Sequence, residues 1–181
     1  MKRSLIIMIR TCLLVFIATL VFATELRAQI SQIRVTLITS NVSGAGTDAD
    51  VFIGIGGREF NLNLLGRGDR ERNQEDQYVL GEASNVERSE DNDPRSPLPV
   101  TVDDIDEFPV YIRMIDIGDS SDPLNFPEDE WIVDFIDVIV FSGDFVVREF
   151  LSPRLGFIND EANQRLGPRS GFVLHLRRIF P

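Results

Sequence analysis

Three groups of acidic residues hold most of the chemistry this chain could perform. Asp48 and Asp50 follow a glycine-rich turn; Asp116, Asp119 and Asp122 lie in or just after an apolar run; Glu128, Asp129 and Glu130 stand directly before Trp131. Hard carboxylate and carbonyl oxygens brought from neighbouring loops are what calcium takes, roughly 6–8 of them. The plainer account of the same residues is that they solvate loops and keep the protein soluble. On composition alone that plainer account is the simpler one.

Other chemistries are poorly supplied. His175 is the only histidine, and it sits in Phe172-Val173-Leu174-His175-Leu176, a strand-like run where histidine usually has a structural role. The chain has no G-x-S-x-G elbow and no H-E-x-x-H helix motif. Gly44-Ala45-Gly46-Thr47-Asp48-Ala49 satisfies a loose G-x-G-x-x-A pattern, but the residues that follow, Asp50 to Ile55, read as a strand. Without a helix N-terminus nothing there holds a pyrophosphate, so no nucleotide site is expected. Two carboxylates facing one cleft could hydrolyse a glycoside, although a chain this acidic always offers some pair. Asn41-Val42-Ser43 is a formal glycosylation sequon, a short pattern that supports little.

The elements that must position these acids read as strands. Alternating or β-branched runs fall at residues 33–39, 51–55, 60–64, 76–80, 110–116, 132–141, 145–150 and 172–177. Clusters of Gly, Asp, Asn and Pro separate them. Eight short strands without a long helical period predict an all-β, antiparallel eight-stranded sandwich. One short helix is expected near residues 160–166, with Asn159 as its cap. Residues 81–108 form a long acidic connection containing Pro94, Pro97 and Pro99. A connection of that length is either a crossover packed on the sandwich or a mobile surface arm.

The N-terminus reads as an address. Lys2, Arg3 and Arg10 precede an apolar run over residues 11–23, and Ala23 and Ala28 are small residues suited to cleavage. This is the layout of a secretory signal peptide over residues 1–28, with an apolar run of 13 residues that is too short to span a bilayer comfortably. Cleavage is expected after Ala28, with Ala23 as the alternative; an uncleaved anchor over residues 5–23 is the rival reading. Removing 28 residues from 181 leaves 153, with 14 basic and 28 acidic side chains and a net charge of -14. That length fits one domain, residues 29–181. Cys12, the only cysteine, falls in the leader, so the remainder has no thiol and no disulfide. The acidic balance argues against a nucleic-acid partner and against simple electrostatic docking on anionic lipid.

The order of the pieces resembles a known family. Gly44-Ala45-Gly46-Thr47-Asp48-Ala49-Asp50-Val51-Phe52-Ile53 is similar to the GAGTDAxVxI signature of the PLAT domain, the β-sandwich shared by lipoxygenases, polycystins and clostridial alpha-toxin. Glu75-Asp76-Gln77-Tyr78-Val79-Leu80-Gly81 resembles its xDTYxLG strand. Ile112-Arg113-Met114-Ile115-Asp116 resembles the strand that usually reads IxIxHD, with Ile115 in place of the histidine. Trp131-Ile132-Val133-Asp134-Phe135-Ile136-Asp137-Val138 resembles the W-x-x-D-x-I-x-V strand.

The resemblance implies two packed sheets, a role in binding lipids or proteins, and in some members calcium held by loops at one end. Carried over by position, Gly46 and Thr47 would offer backbone carbonyls, and Asp48 and Asp129 carboxylates. Asp69 falls where some members place a second calcium ligand, and Asp116 adjoins the same loop. Leu124 and Phe126, between Pro123 and Pro127, are the expected contact residues for a membrane or partner; the rival reading is that Phe126 folds back under the loop and packs on Trp131. The expectation is a secreted or periplasmic, non-catalytic binding module that loads calcium and meets an envelope or extracellular protein, or a membrane lipid surface. The alternatives are a small carboxylate-dependent hydrolase and an inert structural envelope protein.

Overall fold

The structure is a computed structural model and describes residues 28–115, 129–153 and 164–180. Its first strand, β1 (Gln32–Thr39), buries Ile33, Val35 and Leu37 and exposes Arg34 between them. Successive side chains on a strand turn to opposite faces, so this spacing makes one dry face and one wet face. The same rule gives β2 (Asp50–Ile55), where Val51, Ile53 and Ile55 are buried. Further strands are β3 (Arg58–Asn61), β4 (Glu75–Gly81), β5 (Tyr111–Ile115), β6 (Trp131–Ser142) and β7 (Phe145–Leu151). The last three are β8 (Gln164–Leu166), β9 (Val173–His175) and β10 (Arg177–Phe180).

The strands form two antiparallel sheets. One has the order β10-β7-β6-β1-β4, with β8 also on β6; the other has the order β3-β2-β5-β9. Their inner faces share one core that includes Ile33, Val35 and Val138 from the first sheet and Val51, Ile53 and Ile112 from the second. This is the expected antiparallel sandwich, with ten strands among the described residues in place of eight.

Two local events account for the difference. The run at 172–177 divides at Leu176, so that β9 pairs with β5 in one sheet and β10 with β7 in the other. Residues 164–166, expected at the end of a helix, pair with Trp131, Ile132 and Val133 as β8. The rest of that expected helix lies outside the described residues. The run at 60–64 also shifts: β3 starts at Arg58, and Leu64 leaves the ladder for an isolated bridge to Val86.

The long acidic connection is a packed crossover. Asn92 accepts the Asn61 N–H at 2.7 Å, and the Glu87 N–H reaches the Asn63 carbonyl at 2.9 Å. Within it the helix α1 (Val102–Glu107) starts at a capping box, in which Thr101 N–H donates to Asp104 Oδ2 at 2.8 Å and Asp104 N–H to Thr101 Oγ1 at 3.3 Å. Asp106 then accepts from Arg148 at 2.8 Å and from Arg178, tying the helix to β7 and β10.

Candidate functional site

One end of the sandwich gathers the loops that the sequence singled out. The end of β1 and the start of β6 meet there: Ser40 N–H donates to the Ile132 carbonyl at 2.9 Å, and Ile132 N–H to the Ala45 carbonyl at 3.0 Å. Trp131, fully buried, donates its Nε1–H to Thr39 Oγ1 at 3.0 Å. The turn around Arg70 closes the third side, since Thr47 N–H donates to the Arg70 carbonyl at 3.3 Å. A Cβ on Gly46 would lie 3.1 Å from that carbonyl, which is why the two backbones approach closely only at a glycine.

Among the expected ligands, Thr47 and Asp129 come together. The Thr47 hydroxyl donates to Asp129 Oδ2 and accepts the Ala49 N–H at 3.0 Å. Gly46 and the exposed Asp48 flank Thr47 on the same loop. Asp116, Leu124 and Phe126 lie outside the described residues.

Asp69 stands apart, pointed into the protein. It is 8% exposed, and its Oδ2 accepts from Leu64 N–H at 3.0 Å, Arg70 Nη1 at 2.8 Å and the Tyr78 hydroxyl at 3.1 Å. Arg70 also donates to the Leu62 carbonyl. Burial pushes the Tyr78 hydroxyl well above its ordinary range, so it keeps its proton and remains a donor. Asp76, fully buried, accepts from Arg70 N–H at 2.7 Å, Gln74 Nε2 at 2.7 Å and Arg67 Nη2 at 2.9 Å. Buried carboxylates persist when paired and hydrogen-bonded in this way.

The donor chemistry can be tested against calcium residue by residue. Thr47, Asp48 and Asp129 present hard oxygens at the loop end, whereas Asp69 is the counter-ion of a buried arginine. Among the described residues no group of three or more His, Cys, Asp or Glu side chains is close enough to hold a metal. The described residues therefore do not complete a calcium shell.

The remaining candidates lie elsewhere. His175 is exposed on β9, its ring edge-on to Tyr111 at 5.9 Å. The Tyr111 hydroxyl and Arg113 both bond Glu59, at 3.0 and 2.6 Å. The sequence did not signal an open cleft of about 460 Å³ beside β4, lined by Leu64, Leu65, Arg67, Glu75, Gln77 and Asn85. Among the described residues Glu75 is its single carboxylate.

Asp137, on the outer face of the larger sheet, has a buried Oδ1 without a hydrogen-bond partner among the described residues. Burial, and then the nearby charge of Glu149, hold its carboxyl above the usual range. A raised folded-state pKa means that ionisation opposes folding. The penalty is absent below the unfolded pKa, grows through the window between the two values and is complete above the folded one. Asp137→Asn is expected to raise the melting temperature near pH ~7 and to change it little near pH ~3. Melting curves across that range check it; a gain that persists at the acid end refutes it.

No family model matches the chain, and no curated protein matches it. Solved structures do. Alpha toxin from Clostridium absonum is 23% identical, with a TM-score of 0.48 over 85% of this chain and 33% of that one. Clostridium perfringens alpha-toxin from an avian strain is 18% identical, with a TM-score of 0.49 over 86% and 34%. A LOX variant in complex with arachidonate is 18% identical, with a TM-score of 0.45 over 82% and 16%. The chain spans about a third of the length of the toxins and about a sixth of that of the LOX. In the structure of this chain residues 44–49 lie in the loop before β2, Glu75–Gly81 form β4, and Trp131 starts β6.

Proposed function

We propose that this chain is an exported, non-catalytic binding module that meets a protein or a membrane surface through the loop end of its sandwich. The observation that carries this reading is the convergence of three chain segments there, around Thr47, Arg70 and Asp129, on a sandwich whose interior is filled by side chains. A filled core holds loops rigidly and leaves the chemistry to its rim. Among the described residues the cleft beside β4 offers one carboxylate, where hydrolysis by a carboxylate pair needs two facing acids.

In this reading Leu124 and Phe126 are the contact residues, and the leader over residues 1–28 is removed. Calcium enters through Asp48 and Asp129 at the loop end together with Asp116, and without Asp69. Millimolar calcium is then expected to raise the melting temperature, by about 2.7 kcal/mol of added stability at 100 times the dissociation constant. Asp48→Asn with Asp129→Asn should abolish the gain. An unchanged melting curve removes calcium from the reading. The reading itself is tested by pull-down from envelope extract and by co-sedimentation with phosphatidylcholine and phosphatidylserine vesicles, each with calcium and with chelator. Phe126→Ala should weaken capture while leaving the melting temperature nearly unchanged. Capture that is indifferent to Phe126, or no capture in either assay, overturns it.

A further inference from the structure

The four sheet edges are not treated alike. β3 and β4 are edges of different sheets on one side of the sandwich, and the crossover at residues 82–100 runs along both. On β4, alternate residues send their backbone groups to β1 or away from it. Thr39 N–H reaches the Gln74 carbonyl at 2.9 Å, so even-numbered residues face β1. The N–H and C=O of Glu75, Gln77 and Val79 therefore face outward.

Asn85 covers part of this outward row. Its Oδ1 accepts the Val79 N–H at 2.7 Å, its Nδ2 donates to the Gln77 carbonyl at 2.8 Å, and its own N–H donates to the Val79 carbonyl at 3.2 Å. One asparagine thus imitates one residue of a neighbouring strand, and there the cover stops. The Gln77 N–H and both backbone groups of Glu75 carry no hydrogen bond among the described residues. Glu75 and Gln77 both line the cleft of about 460 Å³, whose wall includes Leu65, 70% exposed. Unpaired edges are usually blunted by a bulge, a charge or a covering loop. Among the described residues the cover is built for the Val79 end of the edge and not for the Glu75 end.

We propose that the Glu75–Val79 edge binds an extended segment of a partner protein by strand addition. One residue of that segment exchanges two backbone hydrogen bonds with Glu75, and a carbonyl two residues along accepts the Gln77 N–H. Alternate side chains of the segment face the cleft, where Leu65 offers an apolar side chain. The charge of Arg67 is answered by Asp76, which leaves Glu75 as the net charge of the lining in a chain of formal charge -11. The fitting segment therefore carries an apolar residue next to a basic one. This inference rests on the reading of the chain as a binding module, but is carried by residues other than Leu124 and Phe126.

Selection from a displayed library of random octapeptides, followed by titration of the recovered peptides, tests it. The variant to use is Gln77→Pro, which deletes the N–H facing the cleft and leaves the β1–β4 ladder intact, a position where an edge strand tolerates proline. Gln77→Ala keeps the N–H and is its control; Leu65→Asp probes the apolar wall. Recovered peptides should pair apolar and basic residues, lose about tenfold or more on Gln77→Pro and on Leu65→Asp, and bind Gln77→Ala like the parent. Melting curves confirm that each variant is folded. Equal binding to Gln77→Pro and the parent overturns the proposal, as does a library that yields no binder. A concentration-dependent dimer abolished by Gln77→Pro overturns it in favour of a second copy of this chain. None of these results alters the vesicle and pull-down assays of the loop end, so the two readings fail separately.

Discussion

Asp69→Ala is expected to destabilise the protein by about 3–5 kcal/mol, equally in millimolar calcium and in chelator. The substitution removes the acceptor of Leu64 N–H, Arg70 Nη1 and the Tyr78 hydroxyl. It leaves the Arg70 guanidinium, 7% exposed, without its carboxylate. Breaking a buried ion pair from one side costs far more than the pair itself contributes, because the remaining charge stays desolvated. Arg70 is badly placed to escape. Its backbone is left-handed at φ 57, and its N–H is held by Asp76 at 2.7 Å. Urea denaturation monitored by circular dichroism gives the loss directly. A loss below about 1 kcal/mol, or one that appears only when calcium is present, would return Asp69 to the ion site. A double-mutant cycle with Arg70→Met separates the pair from its surroundings, and strong coupling between the two positions is expected.

That network shows where reading the sequence succeeds and where it stops. The strand carrying Asp76 and Tyr78 was legible, because alternation along Glu75–Gly81 buries Asp76, Tyr78 and Leu80 on one face. The role of Asp69 was not. Gly68-Asp69-Arg70 looks like any polar turn, and nothing local says that Arg70 turns inward to meet a tyrosine on the next strand. Long-range polar pairing has no period, whereas a half-buried strand has one.

The same contrast runs through the rest of the molecule. Thr101 and Asp104 have capping-box spacing, yet they lie in a stretch whose acids and prolines read as connection; the helix there becomes visible once Ile105 is seen to be buried. The change of sheet at Leu176 leaves no mark, since residues 172–177 read as one continuous strand-like run. The cleft beside β4 was invisible because Leu65, Gln77 and Asn85 become neighbours only when the crossover folds back along the edge. The loop end was the more legible candidate, as the glycine-rich turn and the acids before Trp131 mark both its sides.

Trp131 is the residue on which that end depends. Trp131→Ala is expected to cost about 3–5 kcal/mol, the usual range for emptying a buried aromatic site. In a domain of this size each kcal/mol lowers the melting temperature by roughly 2–4 °C. The indole is fully buried, and its Nε1–H holds Thr39 Oγ1 at 3.0 Å, where β1 ends and the glycine-rich loop begins. On its other side the chain reaches Asp129 two residues earlier, within reach of the Thr47 hydroxyl. The indole therefore joins both loops, alongside the backbone bonds of Ser40 and Ile132. Trp131→Phe keeps most of the apolar surface but loses the N–H, leaving Thr39, itself 1% exposed, to find another donor; a smaller cost of about 1–3 kcal/mol is expected. The Phe variant stays folded, so it can be carried into the calcium and vesicle assays. If the indole positions Asp129 against Thr47, those responses weaken in Trp131→Phe by more than the loss of stability explains. Circular dichroism melts of both variants provide the check, and an alanine variant that melts within about 2 °C of the parent would show that the loop end is held by something other than Trp131.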